Sequence, residues 1–133
     1  MGLTLIRHTT PEVPPGTCYG QTDLDLKPGF AEEAEAVLAA LPPAERLITS
    51  PLRRCARLAE RIGAARGLLP VPEPRLMEMD FGRWEGVPWD RIPRAELDAW
   101  AADFDHARPH GGESVAIFAA RVEAALSALR DGT

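Results

Sequence analysis

The sequence has 133 residues, of which 45% are apolar, 26% charged and 6% aromatic. That length suits one domain able to bury about two-thirds of the surface its unfolded chain exposes, and the apolar fraction excludes a disordered tail. With 15 cations against 20 anions the formal net charge is −5, which disfavours nonspecific nucleic-acid binding.

All but one of those 15 cations are arginine, Lys27 being the exception. Guanidinium groups clamp flat oxyanions bidentately in a way that an ammonium does not. Cys18 and Cys55 make neither a disulfide framework nor a four-ligand zinc site, so they are expected to be reduced. No stretch reaches the roughly 18 apolar residues of a membrane span. Residues 1–7 lack a basic segment leading into an apolar one, and a cytosolic protein is expected.

In chain order, Leu3–Ile6 is a short apolar run stopping at Arg7-His8, and its length predicts a buried strand. Thr9–Gly20 is punctuated by Pro11, Pro14, Pro15 and Gly16 and predicts a loop. After Pro28-Gly29, the positions Phe30, Ala34, Val37, Leu38 and Leu41 fall at helical spacing until Pro42-Pro43 stops them. Leu47-Ile48-Thr49 predicts a second strand. Ser50-Pro51 then predicts a helix N-cap and first helical residue, with Leu52, Cys55, Ala56, Ala59 and Ile62 on one face and Gly67 closing it.

Leu68–Pro74 supplies one further short strand, and Glu73–Pro93 is mostly loop, with Trp84 and Trp89 looking exposed. Arg94–Asp105 can be helical, and His106–Gly112 is a loop. Ser114–Leu129 is a final amphipathic helix with Val115, Phe118, Val122, Ala125, Leu126 and Leu129 on its apolar face. Strand, loop, helix, strand, helix is the opening of an α/β domain with a parallel sheet. A last helix that needs a sheet, and too few strands to make one, lead to the expectation that the chain stops early, as a fragment or a natural short form.

Three segments carry chemistry. Arg7-His8 follows a strand, and ligands of open α/β sheets bind at the carboxyl ends of strands. A histidine there serves equally as a capping or core residue, but an adjacent arginine suits a neutral imidazole facing an anion. Arg53 and Arg54 lie in the first turn of a helix, where cations oppose the dipole. Either both are solvated, or one faces an anion that the helix N-terminus also attracts. Glu78 sits between Met77 and Met79, near Leu76 and Phe81, so partial burial is expected to raise its pKa and suit it to general-acid work, unless it is a solvated loop carboxylate.

Together, Leu5-Ile6-Arg7-His8, Ser50-Pro51-Leu52-Arg53-Arg54, Leu76 to Gly86 and Gly112-Glu113-Ser114 resemble the histidine phosphatase, or phosphoglycerate-mutase-like, superfamily. Arg7-His8-Thr9 followed by a Pro-rich loop and Cys18-Tyr19-Gly20-Gln21 looks most like its α-ribazole phosphatase branch, which serves cobalamin synthesis. The resemblance implies a three-layer α/β/α fold over residues 1–133, with a mostly parallel sheet and helices on both faces, its C-terminal strands missing. It implies a phosphomonoester hydrolase acting on a small phosphorylated metabolite, such as α-ribazole 5′-phosphate. His8 would be the nucleophile and Glu78 the proton donor, while Arg7 and Arg54 neutralise the phosphoryl oxygens. Backbone N–H groups at Gly20 and Gln21 would touch the phosphate. Arginines do the charge work, so no metal or other cofactor is expected, nor a nucleic-acid or membrane partner, and a homodimer is allowed.

The family carries a second histidine in a Val-x-His-Gly segment after its last helix, and neither His106 nor His110 matches that position. Three alternatives stay open. They are a mutase-type phosphoryl transferase, a catalytically impaired phosphate-binding module, and an acidic partner-binding domain using Trp84 and Trp89.

Overall fold

In the computed structural model, which describes residues 2–131, the periodic segment after Pro28-Gly29 forms helix α1, Phe30–Ala40. Strand β1 is Ile48–Thr49, helix α2 is Arg53–Arg66 and strand β2 is Val71–Pro72. The two strands pair in parallel, Ile48 opposite Val71 and Thr49 opposite Pro72, as the α/β reading predicts. These elements lie in the first of two units, which comprises the residues up to Glu12 and Asp23–Pro74.

Its core is Ala34, Leu58 and Ile62, ringed by Phe30, Val37, Leu38, Leu41 and Leu47. Burying side chains the size of Leu58 and Ile62 contributes about 1.5–3 kcal/mol each. The small Ala34, fully buried, lets α2 approach α1 closely. Arg66, in the last turn of α2, donates to the Leu38 carbonyl at 3.0 Å and the Leu41 carbonyl at 2.8 Å. A cation thus satisfies acceptors that α1 leaves open at its C-terminal end. Gly67 then ends α2 in the left-handed region at φ 69°, a conformation the glycine adopts without strain.

Two expectations in this unit are corrected. Leu3–Ile6 is not a buried strand: no ladder forms along it, and Leu3 and Leu5 are 67% and 79% exposed. A run that short has no helical or strand preference of its own, and becomes a strand only beside a partner. Helix α2 also starts later than predicted. Leu52 is still extended (φ −63°, ψ 141°), so Ser50 is not its N-cap, and the Ser50 hydroxyl accepts instead from the Leu52 amide at 3.3 Å.

The second unit comprises Val13–Thr22 and the chain from Arg75 onward. It holds helix α3, Arg94–Ala102, and helix α4, Val115–Arg130, with single 3₁₀ turns at Gly82–Trp84 and Trp89–Arg91. Ser114 is the N-cap of α4, its hydroxyl accepting from the Ile117 amide at 3.1 Å. Along α4 only Ala125 is fully buried, and the rest of the predicted apolar face is half-buried.

Aromatic rings dominate this unit's core. Cys18, Trp84 and Ile92 are buried, with Phe81, Val87, Trp89, Leu97 and Trp100 packed around them. Trp84 meets Trp100 edge-on at 5.4 Å, and its indole N–H donates to Glu96 at 2.9 Å. Trp84 is therefore an interior residue, 2% exposed, and Trp89 is half-buried. This removes the exposed tryptophans on which the partner-binding alternative stood. The segment carrying Cys18 is strapped to the same cluster by Cys18 N–H to the Val87 carbonyl (2.9 Å) and Gly86 N–H to the Cys18 carbonyl (2.8 Å).

Candidate active site

The candidate residues divide between the two units, Arg7, His8 and Arg54 in the first, Gly20, Gln21 and Glu78 in the second. In the first unit, His8 is half-buried and its Nδ1 lies 2.7 Å from the Thr9 carbonyl oxygen. A carbonyl only accepts, so Nδ1 carries the proton, and in the neutral ring the lone pair is on Nε2. That is the tautomer a nucleophilic imidazole needs. Arg7 is exposed beside it.

The start of α2 separates the two arginines. Arg53 is exposed and paired with Asp23 and Asp25, and its backbone amide donates to the Asp23 carboxylate at 2.8 Å. Asp23 thereby supplies both a cap and a negative charge at the positive end of the helix dipole. Arg54, one residue on, is 1% exposed. Of the two sequence alternatives, the one with both side chains solvated is excluded.

In the second unit, Glu78 is exposed rather than partly buried, and its Oε1 accepts from the Met79 amide at 2.8 Å. Met79 turns inward instead, at 3% exposure. The Glu78 backbone is held from α4. Arg121 Nη1 donates to the carbonyls of Arg75 (2.9 Å) and Met77 (2.7 Å), and Nη2 donates to that of Glu78 at 3.2 Å. The same guanidinium grips the Glu113 carboxylate with two bonds, Nε at 2.9 Å and Nη2 at 2.7 Å. Glu113 Oε1 also accepts from the Asp80 amide at 2.9 Å. The bonds from Arg121, aided by its charge, hold the Glu113 carboxyl below the usual carboxylate range.

The second anchor of the unit is Glu85. Its carboxylate accepts from the backbone amides of Gly20 (2.9 Å), Gln21 (3.3 Å), Thr22 (3.1 Å) and Phe81 (2.9 Å), and from the Thr22 hydroxyl at 2.5 Å. Burial pushes this carboxyl up, but the hydrogen bonds from Thr22, Gly20 and Phe81 outweigh it and hold the group below its ordinary value. The Gly20 and Gln21 amides, expected at a phosphate, are already engaged within the unit. They donate to an internal anion instead. Gly20 also lies so close to the neighbouring loop that a Cβ on it would fall 1.8 Å from the Met79 carbonyl oxygen.

His110 is buried among rings, 4.9 Å from Trp84 and 6.0 Å from Phe81, and its Nδ1 accepts from the Gly112 amide at 2.9 Å. Burial lowers its pKa, aided by the charges of Arg108 and Arg83 and opposed by those of Asp80 and Glu85. Burial, then the charge of Glu85, pushes the Cys18 thiol up to about 12. Residue-type reasoning gave no role to Glu85 or Arg121. The available signal for Arg121 was a lone cation on the apolar face of the last helix, two turns beyond Glu113.

A model of the histidine phosphatase superfamily (branch 1) matches residues 3–133. The glucosyl-3-phosphoglycerate phosphatase of Mycobacterium tuberculosis is 34% identical over 126 residues, covering 90% of this chain and 56% of that protein. The adenosylcobalamin/α-ribazole phosphatase of Salmonella typhimurium is 29% identical over 135 residues, covering 97% of this chain and 67% of that protein. The crystal structure of the α-ribazole phosphatase from Shigella flexneri superposes with a TM-score of 0.82 at 27% identity, over 95% of this chain and 65% of that one. The chain thus spans little more than half the length of the mycobacterial relative. Among the described residues no helix is long and apolar enough to cross a membrane. The chain belongs to the histidine phosphatase superfamily, branch 1, and has its phosphoglycerate-mutase-like α/β fold.

Proposed function

We propose that the protein hydrolyses the phosphate monoester of a small metabolite through a phosphohistidine at His8. The lone pair on His8 Nε2 attacks phosphorus while the bond to the ester oxygen breaks, and Glu78 gives that oxygen a proton. Water then attacks the phosphohistidine, Glu78 takes a proton from it, and inorganic phosphate leaves as the P–N bond breaks. Arg7 and Arg54 balance the charge on the equatorial oxygens. The observation that carries this reading is the fate of the two arginines at the start of α2. Arg53 turns to surface carboxylates while Arg54 is withdrawn from water, at the helix end whose dipole repels a cation and attracts an oxyanion.

For the substrate we favour α-ribazole 5′-phosphate, supported by the Arg7-His8-Thr9 and Cys18–Gln21 segments and by the names of two of the relatives. The test is turnover of α-ribazole 5′-phosphate, glucosyl-3-phosphoglycerate and p-nitrophenyl phosphate by the full chain. Release of phosphate that is lost in His8→Ala, with vanadate inhibition weakened in Arg54→Ala, supports hydrolysis. Transfer of the phosphoryl group to an added alcohol in preference to water supports the mutase alternative. Vanadate binding without turnover supports the phosphate-binding module.

A further inference from the structure

We infer that Arg121 and Glu113 form a positioning device for Glu78, so that the geometry of the proton donor is set from helix α4. The inference deepens the phosphatase reading and rests on it. Glu78 belongs to an irregular loop, and no helix or strand ladder fixes its backbone. What fixes it is one guanidinium spread over three nearby carbonyls, those of Arg75, Met77 and Glu78. Five N–H bonds leave Arg121 in all, three to these carbonyls and two to Glu113.

Glu113 completes the grip from the far side of Glu78. Its carboxylate takes the Asp80 amide and its own amide donates to the Asp80 carbonyl at 2.9 Å. The stretch from Arg75 to Asp80 is therefore tied at both ends, to two residues separated by two turns of one chain segment. With the backbone held, the exposed Glu78 side chain folds onto the Met79 amide through its Oε1. The Arg121–Glu113 pair is mostly shielded from water, at 20% and 17% side-chain exposure, which strengthens it relative to a surface pair. Neither residue is placed to touch substrate in this account. Each acts through the loop.

A positioning role separates from a merely structural one by leaving group. A proton donor matters for an alkoxide and little for p-nitrophenolate, which departs unprotonated. Arg121→Lys keeps the charge but cannot span three carbonyls and a carboxylate at once, and Glu113→Gln keeps the shape while removing half of the bidentate grip. We expect each to lower kcat on an alkyl phosphate by about 10–100-fold and on p-nitrophenyl phosphate by less than about threefold, in the range that a misplaced acid–base group produces. Adding Glu78→Gln to either variant should cause no further loss. Two variants guard against one failing to fold, and thermal melts followed by circular dichroism give the folded fraction of each. Equal losses on both esters, or losses that multiply with Glu78→Gln, overturn the positioning role alone. A wild-type chain that turns over neither ester overturns the phosphatase reading itself.

Discussion

Truncating Glu85 tests how much of the second unit depends on one internal anion. The carboxylate receives four backbone amides and a hydroxyl, each oxygen serving a different set: Oε1 takes Gly20, Thr22 and the Thr22 hydroxyl, and Oε2 takes Gln21 and Phe81. Thr22 is exposed and Gln21 half-buried, so water replaces much of what they lose in Glu85→Ala. Gly20 is buried, and Phe81 is half-buried against the aromatic core. At about 1.5–3 kcal/mol for each hydrogen bond to a charged partner, these two alone give a loss of about 3–6 kcal/mol. Glu85→Gln is instructive because an amide has one acceptor oxygen. One of the two sets must then face an NH₂ group, donor against donor, and we expect a loss of about 2–3 kcal/mol from that isosteric change.

All three tryptophans, Trp84, Trp89 and Trp100, lie in this unit, so their fluorescence in a urea titration reads its unfolding directly. The pH dependence has a definite sign. The folded Glu85 carboxyl is held below its ordinary value of 4.5, so its contribution is complete above that value and disappears as the pH falls through the folded one. The gap between wild type and Glu85→Gln should be constant at neutral pH and close in acid. Variants within about 0.5 kcal/mol of wild type at neutral pH would refute the reasoning, because that is the range of an ordinary surface substitution.

Gly20→Ala should destabilise the same unit by at least about 1–3 kcal/mol in the same titration, since its Cβ would meet the Met79 carbonyl at 1.8 Å and backbone must move. Far-UV circular dichroism, to which the helices of both units contribute, followed beside the fluorescence would report by coincident or separate transitions whether the loss is confined to that unit. For His110 the folded pKa lies below the ordinary 6.5, so charging it opposes folding. Wild type should lose stability as the pH falls below that value, by up to about 1.4 kcal/mol per pH unit, and His110→Asn should remove this slope. An unchanged slope in His110→Asn would assign the acid sensitivity to the carboxylates instead.

The helices were legible because their signals are local. Phe30 to Leu41 repeats with a helical period until Pro42-Pro43, Gly67 supplies the left-handed end of α2, and Ser114 caps α4. The start of α2 was read too early because its cap comes from Asp23, 30 residues before Arg53. Distance in sequence also hid the Gly20 and Gln21 amides, whose acceptor Glu85 is 65 and 64 residues away. A donor reads as available to a ligand only until its internal partner is known. Glu78 and Trp84 show a related limit. Neighbouring methionines suggested a buried Glu78 and a polar loop suggested an exposed Trp84, yet in a loop each side chain's direction follows the tertiary packing. Leu3–Ile6 has the composition of a strand, and composition alone supplies no ladder.

The central claim is that His8 carries the phosphoryl group. Rapid quenching of the full chain during turnover of a radiolabelled phosphate ester, followed by peptide mapping in base, reads this directly. The account predicts one labelled peptide, modified at His8, with acid-labile and base-stable phosphate that is absent from His8→Ala. Label that survives in His8→Ala, or that maps to another residue of the wild type, would contradict it.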